Sequence, residues 1–247
     1  IGIDYDEFLD AVNSENAKAA LHKMRASLQD RAMIVGVDRL DYSKGLEERF
    51  QGFEKYLTDH PEMHTHVVLV QVAPPSRGEV KSYQEIRASL EAESGRINGR
   101  FAHVDWTPIR YVNKGYPRDQ LGGIYRAAKV GLVTPLRDGM NLVAKEYVAA
   151  QDPQDPGVLI LSRFAGAAQQ LTEALLINPY SDEEMADAIH QALTMPLEER
   201  KRRWKIMMDE IGETDVVWWR ETYVNKLMQA QDVESAEDKL LELSDEE

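Results

Sequence analysis

Short apolar segments alternate with longer amphipathic segments along most of the chain. Runs of about four to eight apolar, β-branched residues predict buried strands, and apolar residues with helical spacing predict helices. The predicted strands span residues 31–37, 66–73, 129–135, 157–162 and 174–177. The predicted helices span residues 46–58, 79–98, 141–151, 182–194, 197–211 and 214–230. This alternation indicates an α/β fold, a Rossmann-like doubly wound parallel sheet with helices on both faces.

In such a fold, the functional residues are expected where the strands end. Ligands of open parallel sheets bind in the crevice beyond the carboxyl ends of the strands. Polar and charged residues follow directly after three of the predicted strands, in segments 38–45, 74–78 and 135–146. We therefore expect these segments to carry the chemistry.

Composition narrows the class of protein. Apolar runs stay far below the ~20 residues that a membrane helix needs. The chain contains no cysteine, which excludes disulfides, thiolate catalysis and cysteine-ligated zinc. A chain without cysteine is compatible with the cytoplasm, the location that we expect. Because the sequence starts at Ile1 without a charged and apolar leader, we expect this start to be the boundary of a fragment.

The charge is unevenly distributed. A formal net charge of −14 argues against nucleic acid and acidic membranes as partners. Residues 231–247 hold eight acids and one lysine, which accounts for half of that net charge. We expect this acidic tail to be solvated and partly disordered. The remaining body can still concentrate positive charge in one cleft.

The first candidate segment contains two cations. Arg39 and Lys44 precede Gly45 at the predicted start of a helix, and two cations beside helix N–H groups can bind one diphosphate. The alternative is a local pair between Arg39 and Asp41, with Lys44 in solvent. Spacing alone leaves both interpretations open, although the signature of a P-loop is absent from the sequence.

The second segment is less informative. Two prolines stiffen the turn before Arg77, and the glycine after it lets the backbone approach a ligand. Taken by themselves, these residues favour a solvent-exposed turn.

The third segment is the most informative one. Gly139 is expected to permit a tight turn into a helix, whose free N–H groups attract anions. Asp138 is typical of a helix N-cap. Glu146 is typical of a surface carboxylate, or of an acid that accepts hydrogen bonds from a ribose in a crevice. The six histidines are scattered without the context of a metal site, so we predict structural or solvated roles for them.

Five long strings carry a resemblance to a family. RLDYSKG (39–45), SRGEVKSYQEIR (76–87), GRINGRF (95–101), TPLRDGMNLVAKEYVAAQ (134–151) and GVLILSRFAGAAQQL (157–171) resemble trehalose-6-phosphate synthases. The similarity runs from Met33 to Tyr223. It implies the C-terminal, donor-binding domain of a GT-B glycosyltransferase, with C-terminal helices that cross to the other domain. On this basis residues 1–230 form the nucleotide-sugar-binding domain, and the N-terminal acceptor domain is absent from this chain.

The resemblance also implies roles for individual residues. Arg39 and Lys44 match residues that hold the donor diphosphate, Asp138 matches a carboxylate on the transferred glucose, and these three are the implied catalytic residues. Arg77 matches an arginine on the phosphate of glucose-6-phosphate. Glu146 matches a residue on the uridine ribose. The remaining implied donor-binding residues are Tyr116, near the uracil, and Gly139, Met140, Asn141, Leu142, Val143, Ala144 and Lys145.

The implied reaction is retaining glucosyl transfer from UDP-glucose to glucose-6-phosphate, which gives trehalose-6-phosphate and UDP. It needs no metal or other cofactor, because protein cations neutralise the departing UDP. The implied partner is the N-terminal half of the same enzyme, without which we expect the fragment to be inactive. The sequence leaves open whether the protein forms a homo-oligomer. The alternatives are a related transferase with another phosphorylated acceptor, similar to glucosylglycerol-phosphate synthase, and a non-catalytic nucleotide-sugar-binding or regulatory module.

Overall fold

The structure, a computed structural model, describes residues 1–75 and 81–229. The predicted acidic tail and Arg77 lie outside these residues. The strands are β1 (Ala32–Val37), β2 (Val67–Val72), β3 (Ile109–Val112), β4 (Val130–Val133), β5 (Val158–Ser162) and β6 (Leu175–Ile177). The helices are α1 (Tyr5–Asn13), α2 (Glu15–Leu28), α3 (Leu46–Asp59), α4 (Lys81–Phe101), α5 (Arg118–Ala127), α6 (Leu142–Ala150), α7 (Asp182–Thr194), α8 (Leu197–Glu213) and α9 (216–229). Short 3-10 turns span Tyr42–Lys44, Pro61–Met63 and Gly166–Gln169.

The six strands form one parallel sheet in the order β3-β2-β1-β4-β5-β6. This order confirms the predicted doubly wound sheet, because the chain starts in the middle and winds outward in both directions. The direction of winding reverses between β1 and β4. The carboxyl ends of these two strands therefore flank the crevice in which this fold binds ligands.

The helices form two packed groups around the sheet. Helix α3 contacts α4 and α7, whereas α5 contacts α1, α2 and α6, and α6 in turn contacts α8. Every residue of β2, β4 and β5 is buried, as expected for strands that are covered on both faces. Among the described helices, none is both long and apolar enough to cross a membrane.

Four elements were not predicted from the sequence. Strand β3 lies at the edge of the sheet, and its half-buried Arg110 and Tyr111 break the apolar run. Helix α5 contains two glycines, which disfavour a helix, but a side chain at Gly123 would collide with the backbone of α2. Helices α1 and α2 have mostly polar surfaces and begin at side-chain caps, Asp4 and Ser14.

Candidate functional site

A cleft of about 420 Å³ lies at the carboxyl ends of β1 and β4. Nine residues line it: Asp38, Arg39, Lys44, Asp138, Met140, Asn141, Leu142, Val143 and Glu146. Eight of these are sequence-predicted site residues; Asp38 is the addition. Residues that are about 100 positions apart in the sequence therefore share one cavity at the point where the fold is expected to bind a ligand.

A tight turn carries Lys44 from β1 into this cleft. The Asp41 carboxylate accepts hydrogen bonds from the Ser43 backbone N–H at 2.9 Å and from the Tyr83 hydroxyl at 3.2 Å, which fixes the 3-10 turn. Gly45 then starts α3 with a left-handed φ of 63° that favours glycine. Asp41 therefore serves the turn, and the alternative of a local Arg39–Asp41 pair is wrong.

Lys44 pairs with Asp138 across the cleft. The distance from Lys44 Nζ to Asp138 Oδ2 is 2.5 Å, and both side chains are 17% exposed. The Asp138 carboxylate also accepts hydrogen bonds from the Met140 N–H at 3.3 Å and from Asn141 Nδ2 at 3.2 Å. Asp138 is thus held in place by the loop on its own side and by Lys44 on the other.

The expectation that Asp138 caps the following helix is wrong. The N-cap of α6 is Asn141, whose side chain accepts a hydrogen bond from the Ala144 N–H at 3.3 Å. Asn141 also has a left-handed backbone conformation, with a φ of 75°, which asparagine tolerates. Because Asn141 caps the helix, the carboxylate of Asp138 stays in the cleft.

The start of α6 offers backbone donors to the cleft. Leu142 and Val143 are the first two residues of the helix, so their N–H groups have no acceptor within it. Both residues line the cleft beside Arg39 and Lys44. Helix N–H groups and cations together favour a bound anion such as a diphosphate.

Glu146 lies at the other end of the cleft wall and is mostly buried. Its Oε2 accepts a hydrogen bond from the Tyr125 hydroxyl at 3.4 Å, and its Oε1 lies 3.9 Å from Arg118 Nε. Burial raises the pKa of Glu146, and Arg118 and Tyr125 oppose that shift. The side chain is therefore a positioned acceptor in a crevice, as the ribose interpretation requires, and not a freely solvated carboxylate.

Four of the implied donor-binding residues do not line the cleft. Ala144 is buried, and Lys145 Nζ donates to the Ile1 carbonyl at 3.3 Å, away from the cleft. Tyr116 lies in a separate groove against α2. Gly139 is not on the cleft wall, although a side chain built there would meet open space.

The buried arginine that supports the cleft was not predicted from the sequence. Arg49 on α3 is inaccessible to solvent and donates from Nη1 to Asp38 Oδ2 at 2.6 Å and to Gln71 Oε1 at 2.8 Å. It also donates from Nε to Thr134 Oγ1 at 3.0 Å and from Nη2 to the Lys44 carbonyl at 3.4 Å. One side chain thus joins segments that follow β1 and β4 to the neighbouring strand β2.

The space for the hydrogen bonds of Arg49 exists because residue 36 is a glycine, which has no side chain. A Cβ at Gly36 in β1 would collide with both Gln71 and Arg49. Burial raises the pKa of Asp38, and the Arg49 guanidinium opposes that shift. A signal was present in the sequence, because Arg49 occupies a core-facing helical position between Leu46 and Phe53.

A histidine cluster lies away from the cleft. His60, Glu62 and His190 place potential ligand atoms within 4.8 Å of one another. The two imidazole rings are stacked, with centroids 4.1 Å apart and planes only 8° apart. Because the nitrogen lone pairs lie in the ring planes, parallel rings do not direct them at a common ion. The cluster as it stands is therefore a packing arrangement, and we assign no metal to it.

Comparison with known proteins identifies the relatives of the chain. The model of glycosyltransferase family 20 matches residues 1–229. The chain is 49% identical to a trehalose-6-phosphate synthase of Sinorhizobium fredii over 232 residues, which cover 94% of the chain and 50% of that protein. It is 53% identical to one of an Enterobacter species over 227 residues, which cover 92% of the chain and 48% of that protein.

Solved structures show the same similarity in three dimensions. An α,α-trehalose-phosphate synthase (UDP-forming) from Burkholderia xenovorans, in complex with glucose-6-phosphate, superposes with a TM-score of 0.90 at 51% identity, over 92% of this chain and 50% of that one. A trehalose-6-phosphate protein from E. coli bound with UDP-2-fluoro glucose gives 0.89 at 49% identity, over 93% of this chain and 51% of that one. The chain spans about half the length of the relatives that it matches.

Proposed function

Since the chain belongs to glycosyltransferase family 20, we propose that it supplies the donor site for retaining glucosyl transfer from UDP-glucose to glucose-6-phosphate. The observation that carries this proposal is the composition of the cleft. Cations and helix N–H groups suited to a diphosphate lie in the same 420 Å³ cavity as a buried carboxylate suited to ribose hydroxyls. The relatives named above support the donor and the acceptor, because one is bound to a UDP-sugar analogue and one to glucose-6-phosphate.

In this proposal the donor diphosphate binds against Arg39, Lys44 and the start of α6. Negative charge develops on the diphosphate as the bond to the sugar breaks. Fixed cations and N–H groups stabilise that charge without reorganisation, which is the task that a divalent ion performs in other transferases. Asp138 accepts hydrogen bonds from hydroxyls of the glucose that is transferred.

The bonding changes are those of a front-face exchange. The acceptor hydroxyl attacks the anomeric carbon from the side of the leaving group, the bond between that carbon and the diphosphate oxygen breaks, and the hydroxyl proton passes to the departing phosphate. The configuration is retained, and no protein nucleophile is needed. The protein contributes positioning and electrostatic stabilisation.

The acceptor site requires a second half. Helix α9 exposes a group of large apolar side chains, which are Val217, Trp218, Tyr223, Val224, Leu227 and Met228. An apolar helix surface of this kind is typical of a protein interface. We propose that the N-terminal half of the enzyme covers this apolar surface of α9. We also propose that Arg77, which belongs to the present chain, contacts the phosphate of the acceptor.

Calorimetric titration of the chain with UDP, GDP and ADP tests the donor site. We expect UDP to bind, with an affinity that EDTA does not change, and we expect no trehalose-6-phosphate from the isolated chain. A strong magnesium requirement for binding, or product formed by chain that is free of full-length enzyme, would contradict the proposal.

Arg77 is tested in the full-length enzyme and in this chain in parallel. Arg77→Ala should raise the KM for glucose-6-phosphate, while the affinity of this chain for UDP should change by less than about 0.5 kcal/mol. If the variant chain loses UDP binding as severely as Lys44→Ala, Arg77 belongs to the donor site.

A further inference from the structure

A second cavity, of about 450 Å³, lies at the amino ends of the strands, where β1, β4 and β5 begin and opposite to the cleft. Ala32 at the start of β1 lines this cavity, whereas Asp38 after the end of β1 lines the cleft. Six steps along a strand separate the two by roughly 20 Å. Five cations line the second cavity, which we call the basic cavity: Arg25, Arg31, Arg126, Lys129 and Arg200.

Two of these cations have structural partners that account for them. The Arg200 side chain is 9% exposed, and its Nη1 donates to Asp155 Oδ1 at 2.6 Å and to the Pro156 carbonyl. Arg31 donates to the backbone carbonyls of Thr65 and Asp105, each at 3.0 Å. These two residues build the wall of the basic cavity.

The other three cations form no ion pair with an acid among the residues that the structure describes. In the described parts of the chain, no hydrogen bond or ion pair involves the side chain of Arg25 or Lys129. Arg126 donates only to neutral groups, the Ala150 carbonyl at 2.7 Å and Asn13 Oδ1 at 3.3 Å. Burial lowers the pKa of Arg126; the charge of Asp152 opposes that shift, and the like charge of Arg25 adds to it.

This lack of compensation is unusual for a protein with a net charge of −14. Two acids also line the basic cavity, Asp30 and Asp155. Because Asp155 is paired with Arg200, Asp30 is the remaining acid that lines the cavity, and Asp152 acts on Arg126 through its charge without an ion pair between the two side chains. Like charges around a partly enclosed space repel one another, and a bound anion relieves that repulsion.

We propose that the basic cavity binds a phosphorylated small molecule through Arg25, Arg126 and Lys129. Guanidinium groups match phosphate oxygens in pairs, and a lysine adds a mobile point charge. The volume falls within the range of about 300–1,000 Å³ that is typical of small-molecule sites. An extended nucleic acid is disfavoured, because the net charge of the protein repels it.

The test uses inorganic pyrophosphate as the probe and removes the cleft as a competing site. In the Arg39→Ala/Lys44→Ala chain, calorimetry should still detect binding of one pyrophosphate. Adding Arg25→Ala/Lys129→Ala should weaken that binding about tenfold or more, the loss expected for charge-assisted contacts. Both of these cavity residues are exposed, and circular dichroism verifies that the variants fold.

A matched control separates the basic cavity from a general effect of charge. Arg220→Ala/Lys226→Ala on α9 also removes one arginine and one lysine, and it should change the affinity less than twofold. The proposal is overturned if the Arg39→Ala/Lys44→Ala chain binds no pyrophosphate, or if the control weakens binding as much as the cavity variant. Binding of UDP to the unaltered chain is measured separately, so failure of the donor site and failure of the basic cavity are distinguishable.

Discussion

Replacing Arg49 with methionine should destabilise the domain while leaving its hydrophobic packing largely filled. Arg49 and its partner Asp38 have side chains that are 0% and 2% exposed, and their charged atoms lie 2.6 Å apart. Breaking such a buried pair from one side costs about 3–5 kcal/mol, because the remaining charge stays buried without a partner. That is a large share of the roughly 5–15 kcal/mol that stabilises a typical domain. Urea denaturation followed by circular dichroism measures the loss.

The loss should depend on pH in a defined direction. Burial already raises the pKa of Asp38 in the folded state, so the folded chain binds this proton more tightly than the unfolded chain. Stability therefore falls as the pH rises from the ordinary aspartate value through the raised one. Without Arg49 the pKa rises further. The destabilisation by Arg49→Met should accordingly be larger at pH 8 than at pH 5.

Two further variants test the role of the Arg49–Asp38 pair. Asp38→Asn in the Arg49→Met background removes the second buried charge, so the double variant should be more stable than the sum of the single losses predicts. Arg87→Met removes an exposed arginine that pairs with Glu91 on α4, and it should cost far less stability than Arg49→Met, because an exposed ion pair is screened by solvent. A cost below about 1 kcal/mol for Arg49→Met, or strictly additive losses, would refute the proposed role of the pair.

Four further outcomes are expected. Lys44→Ala should weaken UDP binding by about 1.5–3 kcal/mol in calorimetry, since it removes a charge-assisted contact. Asp138→Asn should strengthen pyrophosphate binding, because it frees Lys44; an unchanged affinity would show that the pair does not compete. Glu146→Gln should weaken binding of UDP but not of pyrophosphate. Because the pKa of Glu146 is raised, the UDP affinity of the unaltered chain should fall as the pH falls, and the UDP affinity of the variant should not. Gly36→Ala should destabilise the domain by displacing Arg49, whereas Gly99→Ala, at an exposed position in α4, should cause no loss in the same denaturation assay, because alanine favours a helix over glycine.

Much of the sheet could be predicted because its central strands are continuous apolar runs. Strand β2 is buried at every residue, so hydrophobicity alone identifies it. Strand β3 and helix α5 were not predicted, because contacts with neighbouring elements determine which residues they contain. Arg110 is tolerated at the sheet edge, where it donates to Ser27 on α2, and Gly123 is required where α5 packs on α2. No local pattern contains that information.

In the candidate site, too, some residues could be predicted from the sequence and others could not. Positions after strands, together with the family resemblance, identified Arg39, Lys44, Asp138 and Glu146, and the fold brings all four to one cleft. The long-range partners of these residues could not be predicted, because the pairings of Lys44 with Asp138 and of Glu146 with Tyr125 join segments far apart in sequence. Arg49 reaches across three strand ends, and Lys44 meets a residue 94 positions away.

The pairing of Lys44 with Asp138 gives the cleft a way to exchange partners. At 2.5 Å, each group satisfies the charge of the other in a partly buried site. A diphosphate that binds against Lys44 competes with Asp138 for the same ammonium group. Once displaced, the Asp138 carboxylate still has its bonds from Met140 and Asn141 to hold its position, and its free oxygen lone pairs can accept hydroxyls of a sugar attached to that diphosphate. Binding of the diphosphate end of a nucleotide sugar would thereby free the Asp138 carboxylate to bind its sugar end. The number of ion pairs would stay the same, because Lys44 exchanges Asp138 for the diphosphate.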